Sequence, residues 1–304
     1  MSEDNGLAVL LVGFGGPETM DEVPAFVESV LGRKPPDRVV VSAMGRYRAI
    51  GGGSPLPATT RRQSVLVAEE LKRRGLEASV HVGMMHARPT IDEAVAQIAA
   101  EGVEDLTVIS LAPYRCEVST DAYETAVAQA VDGKGPRLHF GPDWNMVPGY
   151  LDALAEMLAR ALTQAPSRTP VIFTAHSLPE RMIEQGDPYA DQLLATAEKV
   201  AKRLGLEDWH LGYQSVSAAA REPWLGPSVE EVMERLAADG ADSVLVDPIG
   251  FISDHVETLY DNDIEHRARA KAMGLGFHRC RCLNEHPGLI NTLADLIIAT
   301  SDHG

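Results

Sequence analysis

Leu7-Ala8-Val9-Leu10-Leu11-Val12-Gly13-Phe14-Gly15-Gly16-Pro17 is the stretch on which the fold turns. An apolar run of strand length stops at glycines and a proline, the mark of a strand handing the chain to a turn. Runs of the same kind recur at 78–84, 106–111 and 137–140. A second set follows at 171–174, 209–213, 243–247 and 276–278. Amphipathic stretches separate them: 90–101, with Ile91, Ala94, Val95 and Ile98 on one face, then 191–204, 229–238 and 257–273. Such alternation predicts an α/β chain of parallel sheets with helices on both faces. Two sets of strands predict two related lobes joined within 140–161, spanning 1–145 and 146–304. The length of 304 residues agrees, because a single core seldom grows beyond ~250–300 residues.

Charge narrows the function classes. A net charge of −17 argues against a general nucleic-acid binder, which needs surplus Lys and Arg for phosphates. An anionic small ligand stays open, since a few local arginines can hold it. Met1-Ser2-Glu3-Asp4-Asn5 lacks the basic stretch and apolar run of a secretory signal. No window approaches ~18 uninterrupted apolar residues. Three cysteines do not make a disulfide framework. A cytoplasmic protein without an integral membrane segment is expected, and a monomer is the simplest state.

Parallel sheets bind ligands outside the carboxyl ends of their strands, so chemistry is sought where each run ends. At the first exit, Glu18 stands where a dinucleotide fingerprint wants its last glycine, and no Gly-Lys-Ser/Thr follows. The turn reads better as a close backbone approach to a flat ligand. Next, Arg46-Tyr47-Arg48-Ala49-Ile50-Gly51-Gly52-Gly53-Ser54-Pro55-Leu56 sets glycines, a serine and two arginines beside apolar residues. It suits a lip over a planar, partly apolar ligand, with Arg46 pairing a carboxylate at its edge. An ordinary solvent loop is the competing reading.

The run at 171–174 exits into Ala175-His176-Ser177-Leu178-Pro179-Glu180. A lone histidine is more often structural. At a strand's carboxyl end, however, an imidazole is placed to accept a proton or bind a borderline metal. The run at 243–247 exits into Phe251-Ile252-Ser253-Asp254-His255-Val256-Glu257-Thr258-Leu259-Tyr260-Asp261-Asn262-Asp263-Ile264-Glu265. On a helix starting near Asp254, Glu257, Asp261 and Glu265 share one face at ~6 Å per step. Capping explains Asp254 and Glu257, but not the continuing acidic row, whose i,i+4 repulsion calls for a cation. Oxygen donors so spaced suit a hydrated divalent metal in transit.

Four segments together resemble the ferrochelatases over nearly the whole chain. They are the Tyr47-to-Leu56 lip, the Ala175-to-Glu180 exit, Gln214-Ser215 followed by Pro223-Trp224-Leu225-Gly226-Pro227, and the Phe251-to-Tyr260 exit. The resemblance implies two Rossmann-like lobes of chelatase type, each a roughly four-stranded parallel sheet flanked by helices. It also implies insertion of Fe2+, as substrate, into a porphyrin in haem biosynthesis. His176 and Glu257 match the family's active-site histidine and glutamate, implicated in iron binding and proton removal. Asp261 and Glu265 match a metal or proton route. Arg46, Tyr47 and Ser54 match porphyrin-contacting positions.

Leu111-Ala112-Pro113-Tyr114, the nearby Tyr123 and Asp261-Asn262-Asp263 are similar to the soluble coproporphyrin III type, with protoporphyrin IX as the alternative substrate. Several positions depart from that type. Phe14 stands where a metal-facing tyrosine is typical, which removes an axial oxygen. Val30 replaces a propionate-binding arginine, with Arg33 and Lys34 close by. Asn145 replaces a porphyrin-contacting tyrosine, and Tyr114 falls where a histidine often faces the metal.

Insertion must strip water from the metal and remove two pyrrole protons. A neutral imidazole and a carboxylate on opposing sides of the porphyrin site would supply two bases. The cysteines add a separate expectation. Cys280-Arg281-Cys282 sets two thiols close together, and Cys116 falls where some cluster-bearing relatives have a ligand. A [2Fe–2S] cluster would then need His278, His286 or a carboxylate as its fourth ligand. The plainer reading is three separate reduced cysteines filling buried sites. Rival functions are a cobalt or nickel chelatase of the same fold, a non-catalytic haem or porphyrin carrier, and a nucleotide-binding oxidoreductase.

Overall fold

All eight expected strands are present in a computed structural model that describes residues 7–133, 135–216 and 221–301. β1 (Leu7–Gly13), β2 (Ala78–Met84), β3 (Asp105–Ser110) and β4 (Arg137–Phe140) form one sheet, ordered β2-β1-β3-β4. β5 (Val171–His176), β6 (Trp209–Gln214), β7 (Ser243–Asp247) and β8 (Gly276–Arg279) form another, ordered β6-β5-β7-β8. Every pairing is parallel. β1 and β7 are apolar throughout their centres because helices cover both of their faces, as all-parallel sheets require.

The two sheets are built alike down to single contacts. In each, the helix after the second strand opens with a capping box, Thr90 with Glu93 and Ser228 with Glu231. Each box satisfies main-chain N–H groups that the first helical turn would leave without partners. In each, the strand before it carries a glycine where that helix crosses. A Cβ on Gly83 would lie 3.1 Å from Ile91 Cα, and one on Gly212 would lie 3.1 Å from Val229 Cα. The apolar faces behind these crossings form the two cores, Leu10, Val95, Ile98 and Val108 in one, and Ile172, Val232, Met233 and Val246 in the other.

The chain divides into two compact units, Met1–Trp144 with Asn284–Gly304, and Asn145–Leu283. The join falls beside the expected one, but the expected lobe 146–304 is corrected at its carboxyl end. The helix Pro287–Ser301 belongs to the first unit, where it packs against the helix Leu56–Arg73 and strands β3 and β4. Polar contacts seat it there: Gln63 Nε2 donates to Asn284 O at 2.7 Å, Arg74 pairs with Asp295 at 2.5 Å, and Thr107 and Ser301 hydroxyls meet at 3.0 Å. Among the described residues, no helix is long and apolar enough to cross a membrane.

Candidate active site

β5 runs two residues beyond its expected end, pairing Ala175 with Tyr213 and His176 with Gln214. His176 therefore sits at the carboxyl edge of the sheet. Its Nδ1–H donates to the Ser177 carbonyl at 2.5 Å, leaving Nε2 as the outward-facing nitrogen. The Tyr189 hydroxyl donates to the His176 carbonyl at 3.1 Å. Trp224 lies beside the imidazole, its ring centroid 6.3 Å away. Hydrogen bonds from Leu225 N to Leu178 O and from Glu180 N to Pro223 O hold the Trp224 segment along the β5 exit.

Glu257 arrives from β7. The connecting loop passes so close to β5 that a Cβ on Gly250 would sit 2.5 Å from Ala175 Cβ and 2.8 Å from its Cα. Only glycine fits this approach. Beyond the loop, the α-helix expected over 257–273 is instead π-helical across Glu257–His266 and α-helical only over Arg267–Ala272. It begins at Val256–Glu257, within a few residues of the expected start near Asp254, whose side chain is held by other partners. Arg279 donates to Asp254 at 2.8 Å and to Asp263 at 2.8 Å, and the Thr258 hydroxyl reaches Asp254 at 3.2 Å. Glu257, Asp261 and Glu265, though spaced four apart on this helix, meet different surroundings. Glu257 is half-buried, Asp261 is buried with Ser215 Oγ donating to it at 2.5 Å, and Glu265 is exposed.

His176 Nε2 and Glu257 Oε1 stand 3.5 Å apart. His255 Nε2 lies 3.5 Å from the other carboxylate oxygen, and its Nδ1–H donates to Ser253 O at 3.1 Å. The carboxylate is thus flanked by two imidazoles whose Nδ1 atoms are already committed. At that spacing the two groups face each other directly, which corrects the expectation of groups on opposing sides of the porphyrin site. Burial works against the His176 imidazolium, but the Glu257 carboxylate outweighs it and raises the pKa to about 9. Burial would likewise raise Glu257, yet His176, with His255 adding to it, holds the carboxyl well below the usual carboxylate range. Their mutual pull favours imidazolium beside carboxylate, whereas the sequence reading took the imidazole as neutral. Sequence reasoning passed over His255, although its His-x-Glu spacing to Glu257 is visible there.

The remaining expected residues are placed as follows. Phe14, at the β1 exit, is 38% exposed and meets His86 edge-on with centroids 4.7 Å apart. His86 Nδ1 lies 2.9 Å from Ser29 Oγ, and burial lowers its pKa. Arg33 is exposed just beyond the helix Val23–Leu31. Arg46 lies in the last turn of the helix Asp37–Ala49, with Tyr47 buried next to it against Phe26. Ser54 is buried, its hydroxyl accepting from Leu56 N at 3.3 Å. Tyr114 is buried beyond β3. Asn145 is buried, and its amide donates to Gln192 O at 3.2 Å and Thr196 Oγ1 at 3.3 Å.

Cys116, Cys280 and Cys282 are all free and buried. Burial, with Asp247 beside Cys280 and Asp254 beside Cys282, pushes the last two thiols up, against the thiolate form that a cluster needs. The Asp247 carboxyl is itself pushed up to about 7 by burial, against the lowering pull of Cys280 and Arg279. Among the described residues, no three His, Cys, Asp or Glu are grouped to hold a metal ion. These residues do not fit the expected [2Fe–2S] cluster. Nor are His176, Glu257, Asp261 and Glu265 assembled into one ligand set.

A sequence model of the ferrochelatase family matches residues 6–301. A ferrochelatase from Deinococcus radiodurans is 36% identical, covering 98% of this chain and 96% of its own. A coproporphyrin III ferrochelatase from Geobacillus kaustophilus is 34% identical over 95% of this chain and 94% of its own. Among solved structures, the cobalt complex of the sirohydrochlorin chelatase SirB from Bacillus subtilis subspecies spizizenii overlays with a TM-score of 0.59. It shares 11% identity over 98% of this chain and 96% of SirB, a likeness of fold alone. By both the family match and the full-length relatives, the chain belongs to the ferrochelatase family.

Proposed function

We propose that the protein is a ferrochelatase that inserts Fe2+ into a porphyrin in haem biosynthesis, with coproporphyrin III as its substrate. The His176–Glu257 pair at 3.5 Å carries this reading. Porphyrin surrenders two pyrrole protons for each iron it takes up, so the site needs groups that exchange protons and touch the metal without retaining it. Before His176 Nε2 can meet Fe2+, the imidazolium gives its proton to solvent. Glu257, already ionised, offers the second base. His255 holds the carboxylate from its far side and keeps it from turning away from His176.

Support for coproporphyrin III comes from relatives of that name and from the Leu111-Ala112-Pro113-Tyr114 segment. Coproporphyrin III carries more propionates than protoporphyrin IX, and Arg33 and Arg46 supply planar guanidinium donors suited to carboxylates. Asp261 and Glu265 belong to the same reading as a route by which iron or protons approach the pair.

Anaerobic assays offering Fe2+ with coproporphyrin III and protoporphyrin IX side by side test the proposal. Faster metalation of coproporphyrin III is the expected result. Turnover of neither porphyrin would overturn the function, and preference for protoporphyrin IX would overturn the substrate.

A further inference from the structure

The distance between His176 and Glu257 depends on where two separate elements end, the strand β5 and the π-helix Glu257–His266. One residue is bound to both. Gln214 is the register partner of His176 across β5 and β6, and its carbonyl accepts from Ser177 N–H at 2.8 Å. Its side-chain Nε2 donates to the main-chain carbonyl of Glu257 at 2.7 Å. The Gln214 side chain is only 2% exposed, so water does not compete for these bonds.

The orientation of that amide is determined by its neighbours. A main-chain carbonyl can only accept, so the NH2 end must face Glu257. The Oε1 end accepts from Thr174 Oγ1 at 2.7 Å, and Thr174 is itself fully buried on β5. The interactions close into a ring: His176 Nδ1–H to Ser177 O, Ser177 N–H to Gln214 O, Gln214 Nε2–H to Glu257 O, and the Glu257 carboxylate back to His176 Nε2. The next residue extends the same hold. Ser215 takes a left-handed backbone, φ 63°, and donates to Asp261, one π-turn along from Glu257. A non-glycine residue in that conformation is kept there by its surroundings.

We propose that Gln214 is a positioning residue that sets the spacing between the His176 imidazole and the Glu257 carboxylate by tying the Glu257 main chain to β6. The inference rests on the reading of this pair as the site of metal insertion, but it makes a claim about the pair alone. Without the amide, the first turn of the π-helix loses its link to the sheet, and the carboxylate is no longer held opposite the imidazole.

The test replaces Gln214 with methionine, close in volume but unable to donate, and follows amide hydrogen exchange across Glu257–His266 in the full chain. In Gln214→Met, exchange in the first turn of the π-helix should quicken about tenfold or more while β5 and β6 stay protected, because that turn has lost its link to the sheet. Steady-state metalation should show kcat lowered about tenfold or more with the porphyrin KM little changed. If Gln214→Met does not fold, Thr174→Val serves instead, leaving Gln214 present but removing the hydroxyl that orients it, with the same direction of change. Unchanged exchange across Glu257–His266 in the folded variant would overturn the inference even if activity fell. A wild-type protein inert towards both porphyrins would overturn the proposed function, while hydrogen exchange would still decide the role of Gln214.

Discussion

His176 can offer a metal only Nε2, because its Nδ1–H is committed to Ser177 O, and at neutral pH that Nε2 carries a proton. Iron and proton therefore compete for one atom. Since the imidazole pKa lies at about 9, divalent-metal affinity at this site should rise about tenfold per pH unit below that value and level off above it. Metal titrations across that range check the slope, and a flat response would mean the metal does not meet His176. His176→Ala should abolish insertion while porphyrin still binds, which metalation assays and porphyrin absorbance measure separately. Near-normal turnover would remove His176 from the mechanism. The sequence placed His176 and Glu257 at strand exits, where chemistry concentrates in such sheets. It assigned both to the lobe 146–304 but could not show that they meet at 3.5 Å, nor that their mutual charge raises the imidazole pKa, because both follow from a tertiary distance. His255 escaped for the same reason: spacing marks a histidine, and only the fold turns it towards Glu257.

At the scale of elements, the π-helix is held from two strands. From β6, Gln214 and Ser215 bind its first turns. From β8, the buried Arg279 guanidinium spans Asp254, just before it, and Asp263, within it. Breaking a buried pair leaves the partner charges without compensation, which typically costs about 3–5 kcal/mol. Arg279→Met should therefore lower folding stability by roughly that amount, read as the shift in denaturant midpoint with unchanged slope. A shift near zero would show that solvent screens Asp254 and Asp263 well enough without the arginine. The strands were legible to within a residue or two because continuous apolar runs bounded by turn residues admit few other readings. The helix after β7 was legible only as helix. Its i→i+5 winding comes from side-chain bonds to β6 and β8, and no periodicity in Glu257–His266 records those partners.

For the molecule as a whole, the doubling into two sheets was legible from two sets of runs, but the depth of the likeness was not. Gly83 and Gly212 take their meaning from the helix each strand allows to approach, and a lone glycine in a strand carries no mark of its neighbour. The destination of the last helix was likewise hidden. Leu289, Ile290, Leu293, Leu296 and Ile297 say that one face must be covered, without saying by which unit. Burying each such side chain contributes about 1.5–3 kcal/mol, so a chain ending at Leu283 should keep the Asn145–Leu283 unit folded and unsettle the other. Hydrogen exchange would then quicken in β3 and β4 and stay slow in β5 and β7. Equal loss of protection in both sheets would show that the units do not fold separately.

That returning helix also imposes an order on synthesis. The unit built on β1 to β4 is missing a wall until Pro287–Ser301 has been translated, whereas the inserted Asn145–Leu283 portion has all its parts as soon as Leu283 is free. The lobe carrying His176 and Glu257 can therefore mature while its elder neighbour is still waiting for its last piece.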